Sequence, residues 1–250
     1  MKPYKFEPYL KTTIWGGYRI APFKGIYTAQ PNIGESWEIS GVPGHESDVG
    51  AKIYAGLKKG ITPEDYERMA TAEPVGGRSP MQNVIATHEA HQGDLFFLPA
   101  GRLHAIGAGN FLAEIQQTSD ITYRVYDFGR KDAHGNPREL HVAEARDAIA
   151  YRVWPEYRTS YDSTKPTSQL INCPYFNVNR VVVQMAAQID FNADSFVVVM
   201  CLWGEANING VRVSRGETLL VAACENVLYI FGNATFLTAT MCGCLKNMIL

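Results

Sequence analysis

The run Gly93-Asp94-Leu95-Phe96-Phe97-Leu98-Pro99-Ala100-Gly101-Arg102-Leu103-His104 constrains this chain more than any other segment. A Gly-Asp turn opens an apolar stretch and a proline stops it. Two residues later a glycine frees the backbone ahead of an imidazole. These signals predict a buried β-strand that ends at the mouth of a barrel and presents His104 there. Farther along, Ser119-Asp120-Ile121-Thr122-Tyr123-Arg124-Val125-Tyr126-Asp127 places Arg124 on an aromatic-rich strand. A histidine at a barrel mouth with an arginine nearby predicts metal-assisted chemistry on an anionic small molecule.

The chain has 250 residues, enough to bury a sizeable core in one or two domains. Its 23 Lys and Arg nearly balance 25 Asp and Glu, and no basic block occurs, which argues against a nucleic-acid partner. Met1-Lys2-Pro3-Tyr4-Lys5-Phe6-Glu7 lacks the apolar stretch of a signal peptide. The longest apolar runs, such as Phe196 to Trp203, are too short to cross a bilayer, so no membrane partner is expected. Five cysteines without framework spacing fit a reducing cytoplasm. Cys242 and Cys244 form a Cys-x-Cys pair near the end of the chain, read as a solvated end rather than a metal or redox pair.

Glycine and proline punctuate short β-rich runs nearly throughout. Ser36-Trp37-Glu38-Ile39-Ser40 alternates with period two, and Phe111-Leu112-Ala113-Glu114-Ile115-Gln116 does so more loosely. Phe176 to Met185 is β-branched and apolar, and Phe196 to Trp203 reads as a fully buried strand. Asn207-Ile208-Asn209-Gly210-Val211 signals a hairpin, because Asn-Gly takes the positive φ of a tight turn. Thr62-Pro63-Glu64-Asp65 supplies an N-cap, a first-position proline and acid in the first turn, predicting a helix to about Met69. A second helix is expected from Val142 to Ala150, where Val142, Ala145 and Ile149 share a face. Ala70 to Gln82 reads as a flexible loop, and Tyr157 to Gln169 as the linker to a second β unit.

That second unit half-echoes the first. Arg215-Gly216-Glu217-Thr218-Leu219-Leu220-Val221-Ala222 repeats the glycine-acid-apolar pattern of Gly93 to Pro99, but without the Pro-x-Gly-x-x-His ending and with no histidine. The expected fold is mainly β, with a few helices: a jelly-roll barrel carrying the chemistry over 1–156, and a smaller structural β-barrel over 157–250.

The motifs, taken in order, resemble a family. Gly93-x5-Pro99-x-Gly101-x2-His104 matches the second motif of the cupin superfamily. Around it stand Ile14-Trp15-Gly16-Gly17, Gly34-Glu35-Ser36-Trp37-Glu38-Ile39-Ser40, Glu114-Ile115-Gln116-Gln117-Thr118-Ser119-Asp120, Tyr123-Arg124-Val125-Tyr126-Asp127 and Pro137-Arg138-Glu139-Leu140-His141. From about Tyr4 to Thr240 the chain resembles the type I mannose-6-phosphate isomerases (phosphomannose isomerases) of the short bacterial form. The resemblance implies a cytoplasmic, zinc-dependent aldose–ketose isomerase interconverting mannose 6-phosphate and fructose 6-phosphate. The metal would stabilise an enediolate while a proton moves between C1 and C2. By motif, His104 matches the family's last zinc ligand and Arg124 its catalytic arginine. Glu35 and Glu114 lie in motifs that approach the substrate pocket.

The chain also departs from the family. Members carry a Val-His-Pro strand and a Thr-Glu-x-Trp-Tyr strand after the Ser-Trp-Glu-Ile-Ser region, and these provide the other zinc ligands. Here Gly41-Val42-Pro43-Gly44-His45-Glu46-Ser47-Asp48-Val49 runs straight into Gly50-Ala51-Lys52-Ile53-Tyr54-Ala55-Gly56, as if several dozen residues were removed near Asp48. A catalytic zinc takes three protein ligands and an open position, so weak or absent zinc occupancy is expected. The alternative function is a catalytically inactive cupin that binds a sugar phosphate or a protein partner.

Other reactive side chains have plainer readings. Arg124 also suits an ion pair with Asp120 or Asp127. Glu114 and Gln116, two apart, would share a strand face, either lining the pocket or facing solvent. His88 and His91, three apart on a strand, would point to opposite faces and form a surface pair rather than a chelate. His141 is expected to cap or pack at the start of the second helix, and His45 and His134 to be exposed in loops.

Overall fold

The computed structural model describes residues 2–37, 44–47, 51–73, 75, 79–117, 121–127, 131, 134–191, 195–225 and 227–241. Its contacts gather into two compact units. The first holds residues 1–44, 113–117 and 160–250, and the second holds 45–112 and 118–159. This grouping differs from the expected 1–156 and 157–250 domains, because the first 44 residues join the C-terminal segment.

In chain order, the elements begin with β1 (Tyr4–Lys5), β2 (Tyr9–Gly17), α1 (Ile20–Phe23) and β3 (Ile33–Trp37). Next come β4 (Gly44–Ser47), β5 (Lys52–Leu57), α2 (Pro63–Thr71), a 3₁₀ turn (Pro80–Asn83), β6 (Ile85–Glu89), β7 (His104–Ile106), β8 (Asn110–Ala113) and α3 (Val142–Ala148). The chain continues through β9 (Thr167–Asn172), β10 (Phe176–Asp190), β11 (Val197–Ile208), β12 (Val211–Ser214), β13 (Thr218–Val221) and β14 (Val227–Met241). The fold is mainly β with few helices, as expected.

The first unit is built on a sheet of order β1-β13-β11-β14-β10-β9, with β12 beside β11. Alternation along the strands sends Val181, Val183, Leu228, Ile230, Ala234 and Phe236 into one apolar core. The strand expected to be fully buried is not. On β11, Val197, Val199 and Cys201 point inward, whereas Trp203 is 57 % exposed. The register against β14 shifts between Cys201 and Trp203, and beyond it Ala206 and Ile208 are the inward residues. One extra residue reverses which face each later side chain meets. The Asn209-Gly210 turn joins β11 to β12 with φ of 48° and 83°, the pair of positive values that a type I′ hairpin needs.

In the second unit β5 is the central strand, flanked antiparallel by β6 and β7. Helix α2 starts where its sequence predicts. Thr62 Oγ1 accepts the Asp65 N–H at 3.2 Å, and the Asp65 carboxylate accepts the Thr62 N–H at 3.3 Å. This reciprocal cap satisfies donors that the first turn leaves without helical partners. The fully buried Tyr66 donates its hydroxyl to Val142 O at 3.2 Å, tying α2 to the start of α3. Leu57, Tyr66, Met81, Val84 and Ala145 form the core beneath them.

Several boundaries differ from expectation. Helix α3 ends at Ala148, not Ala150. The supposed loop from Ala70 to Gln82 holds the last turn of α2 and the first residues of the 3₁₀ turn, where Ser79 Oγ accepts the Met81 N–H at 3.1 Å. The supposed linker from Tyr157 to Gln169 begins with a buried tyrosine bonded to Leu57 O at 3.2 Å, and its last residues already belong to β9.

The largest correction concerns Gly93 to Leu98, which is not a β-strand. Its residues are half-buried except the exposed Gly93, and Phe96 and Leu98 pack on Ile53, Ala55 and Tyr157. Its backbone is bonded one contact at a time: Asp94 N to His91 O, and Leu95 O to Thr159 N. Apolar patterning places side chains in a core, but a strand also needs a continuous ladder.

Candidate functional site

Gly101 keeps its expected role. It takes φ of +81°, and its carbonyl accepts the Ala150 N–H at 2.8 Å. A Cβ there would stand 2.9 Å from Ala148 O. Three residues later His104 opens β7 opposite Ala55 of β5. His104 Nδ1 lies 3.0 Å from Arg102 O. A carbonyl only accepts, so Nδ1 carries the proton in this bond, and Nε2 is the ring nitrogen that can present a lone pair. The residue is exposed.

Arg102 supports this geometry. Its guanidinium lies 4.9 Å from the Trp154 ring centre and 5.3 Å from that of Tyr157, and it donates to Phe97 O. Burial lowers its pKa from the ordinary guanidinium value, partly offset by Tyr157. The cation–π contacts and the carbonyl bond hold the residue whose own carbonyl orients His104.

Arg124 lies in the second unit with His104, but the segment around it is not a strand. It is clasped to His141 instead. The His141 N–H donates to Arg124 O at 2.8 Å, and the Arg124 N–H donates to His141 Nδ1 at 3.2 Å. Arg124 Nη1 also donates to Glu139 O at 3.4 Å. The expected ion pair with Asp127 does not form, because Asp127 is taken by Arg138, whose Nε and Nη2 donate to its two carboxylate oxygens. Those bonds raise the Arg138 pKa. Asp120 lies outside the described residues. Among the described residues no hydrogen bond or ion pair joins His104 to Arg124, and Arg124 pairs with no carboxylate.

Glu35 and Glu114 belong to the first unit. Glu35 lies on β3 opposite Lys11 and forms an ion pair with it at 3.0 Å. Glu114 is half-buried just past the end of β8, and Gln116 is exposed there, so the two are not successive residues of one strand face.

Two histidines sit differently from what their sequence context predicts. His88 is half-buried rather than on the surface: Nε2 lies 3.1 Å from Ala55 O, and its ring packs on Phe96 and Tyr157 at 5.7 and 5.6 Å. Its signal was the period-two position on β6, opposite the buried Ile53. His141 is the N-cap residue of α3, but its side chain makes no capping bond and serves Arg124 instead. His134 is exposed, as expected. The side chain of His45 and residues Cys242 and Cys244 lie outside the described part.

Among the described residues no three His, Cys, Asp or Glu side chains gather closely enough to hold a metal ion. One open imidazole does not fit a zinc that takes three protein ligands. No helix among the described residues is long and apolar enough to cross a membrane.

No protein-family model matches the chain. It is 37 % identical over 151 residues to the mannose-6-phosphate isomerase ManA of Bacillus subtilis, covering 58 % of this chain and 48 % of that protein. It is 31 % identical over 167 residues to the mannose-6-phosphate isomerase of Streptococcus mutans, covering 66 % of this chain and 46 % of that protein. The chain thus spans about half the length of the curated relatives it matches. Among solved structures, the mannose 6-phosphate isomerase from Bacillus subtilis superposes with a TM-score of 0.79 at 20 % identity, over 96 % of this chain and 99 % of that one. A mannose 6-phosphate isomerase bound with zinc and yttrium matches 80 % of this chain and 65 % of that one, with a TM-score of 0.56 at 11 % identity. At such identities these likenesses establish the fold.

Proposed function

We infer that this chain, a shortened relative of the type I mannose-6-phosphate isomerases, acts as an aldose–ketose isomerase on mannose 6-phosphate and fructose 6-phosphate. The observation that carries this reading is the 37 % identity over 151 residues to a protein named for that reaction. Arg124, the position matching the family's catalytic arginine, offers a fixed guanidinium fork suited to an oxyanion or phosphate. His104 offers an Nε2 lone pair to a sugar hydroxyl. In the family, zinc supplies the electrophile for the enediolate. The described residues of this chain offer such an ion one imidazole, and the roles assigned here belong to its own side chains. Glu35 and Glu114 remain proposed substrate-binding residues on their motifs alone. Near-balanced charge without a basic block supports a sugar phosphate rather than nucleic acid as partner only by exclusion of the latter, and cysteines without framework spacing support a cytoplasmic protein.

A second reading is favoured by the absence of a three-ligand cluster among the described residues: the chain binds a sugar phosphate and does not turn it over. A coupled isomerase assay with metal analysis on one preparation of the full chain separates the two. Interconversion that is lost in Arg124→Ala supports the enzyme. No turnover, with sugar-phosphate binding on the order of millimolar that is lost in Arg124→Ala, supports the binder; such affinity corresponds to about 4 kcal/mol. Neither turnover nor binding refutes both.

A further inference from the structure

Arg124 is held at two backbone points by one residue, and one of those points is a side chain that titrates. The Arg124 N–H can only donate, so at 3.2 Å His141 Nδ1 must receive it with a lone pair. In that state the neutral His141 ring carries its proton on Nε2. Protonation would put a hydrogen on Nδ1 and set two donors against each other. The same loss would leave a half-buried main-chain N–H without its acceptor. The second point, His141 N–H to Arg124 O at 2.8 Å, does not depend on protonation, so the clasp would loosen at one end and keep the other.

We propose that His141 is the positioning residue of Arg124, and that its neutral ring is required to fix the arginine for anion binding. This deepens the reading of Arg124 as an oxyanion site and rests on it. The surroundings of the ring are specific. The Tyr123 ring lies 6.1 Å away across the clasp, and the Tyr66 hydroxyl of α2 reaches Val142 O next door. Glu144 lies in the first turn of His141's own helix, and Glu139, two residues upstream, gives its carbonyl to Arg124 Nη1. Asp127 and Arg138 are paired with each other. The Arg124 N–H therefore reports directly on the charge of His141.

The test uses the full chain and inorganic sulfate, whose charge does not change over the range in which histidines titrate. Wild-type sulfate affinity should fall as pH falls, with a midpoint matching the His141 titration followed by NMR. His141→Asn places an amide oxygen near the Nδ1 position, so it should bind within about twofold of wild type and lose that pH-dependent fall. His141→Phe keeps a ring against Tyr123 but removes the acceptor, and should weaken binding on the order of tenfold. In wild type, the Arg124 amide proton shift should follow the same midpoint, and ¹⁵N spectra should place the neutral ring's proton on Nε2. Sulfate affinity with the same pH dependence in wild type and His141→Asn would overturn the proposal. So would undiminished binding by a folded His141→Phe, or a proton on Nδ1 of the neutral ring. If His141→Phe does not fold, the asparagine variant and the two NMR readouts decide. A wild type that binds no sulfate at any pH would remove the anion-site reading of Arg124, while the amide and ¹⁵N readouts would still decide whether His141 holds its backbone.

Discussion

Replacing Gly101 by alanine tests whether this glycine is needed for its backbone conformation alone or also for the space it leaves. Gly101 and Gly60 offer a matched pair, with φ of +81° and +86°. Nothing lies within 4 Å of a Cβ built on Gly60, whereas one on Gly101 would stand 2.9 Å from Ala148 O and 3.3 Å from Ala150 N. A side chain in the left-handed region costs about 1–2 kcal/mol, and the stiffer unfolded chain returns about 0.4–1 kcal/mol. Gly60→Ala should therefore destabilise by about 0–1.6 kcal/mol. Gly101→Ala carries the same conformational cost and must also push the Ala148–Ala150 backbone away. That strains the 2.8 Å bond from Ala150 N–H to Gly101 O, worth about 1 kcal/mol. With the contact itself, the total should reach about 2–3 kcal/mol. In urea unfolding the midpoint should fall distinctly more for Gly101→Ala than for Gly60→Ala. In thermal unfolding the larger loss corresponds to a drop of about 4–12 °C, taking ~2–4 °C per kcal/mol for a domain of this size. Equal effects of the two substitutions would refute the reasoning, because they would mean that the 2.9 Å contact relaxes at no cost.

Two further outcomes are expected. Thr62→Ala removes the side-chain half of the α2 cap and should cost about 1 kcal/mol, read as a lower urea midpoint with an unchanged slope; an unchanged midpoint would mean that the cap contributes nothing. Lys24, pulled down to about 8 by burial against an opposing pull from Glu217, gives a pH prediction. Between about pH 8 and the unfolded value of 10.5 the unfolded state binds more protons, so this group's penalty fades and stability rises with pH. Below about 8 the penalty is fully present. The stability of wild type relative to Lys24→Met should therefore climb across that window in urea titrations; a flat difference would contradict the burial assignment. The comparison also cancels the buried Cys201 thiol, pushed up to about 12, which acts in the opposite direction in both proteins.

What could be read from the sequence was local and chemical. Thr62-Pro63-Glu64-Asp65 encodes its own helix start, because every partner in the cap lies within four residues. Asn209-Gly210 encodes its hairpin because two positive φ values suffice. Gly101 signalled the positive-φ turn before His104 for the same reason. Failures came where the outcome depended on a distant partner. Gly93 to Leu98 has the apolar content of a buried strand, and its Phe96 and Leu98 pack against a core, but whether its backbone joins a ladder depends on what lies beside it. Phe196 to Trp203 is only partly buried because a register shift against β14 reverses the inward face within the run. Composition carries no trace of that shift.

The site follows the same division. The motif spacing identified His104 and Arg124 but did not indicate what holds them, since the supports are main-chain atoms and side chains outside their motifs. His104 is oriented by the carbonyl of Arg102, two residues away, and Arg102 is itself held by Trp154 and Tyr157, about fifty residues downstream. Arg124 is held by the imidazole and N–H of His141. An ion pair with Asp120 or Asp127, four and three residues away, is the plainer sequence reading of Arg124 beside its functional one. Arg138 claims Asp127 instead, with two nearly parallel hydrogen bonds that a fork-shaped cation makes better than a single contact would. The charge of Arg124 is thereby left without a carboxylate among the described residues. An arginine kept from Asp127 and anchored through its backbone has its guanidinium available for an anion from solution, so anion binding should depend on this residue more than on His104.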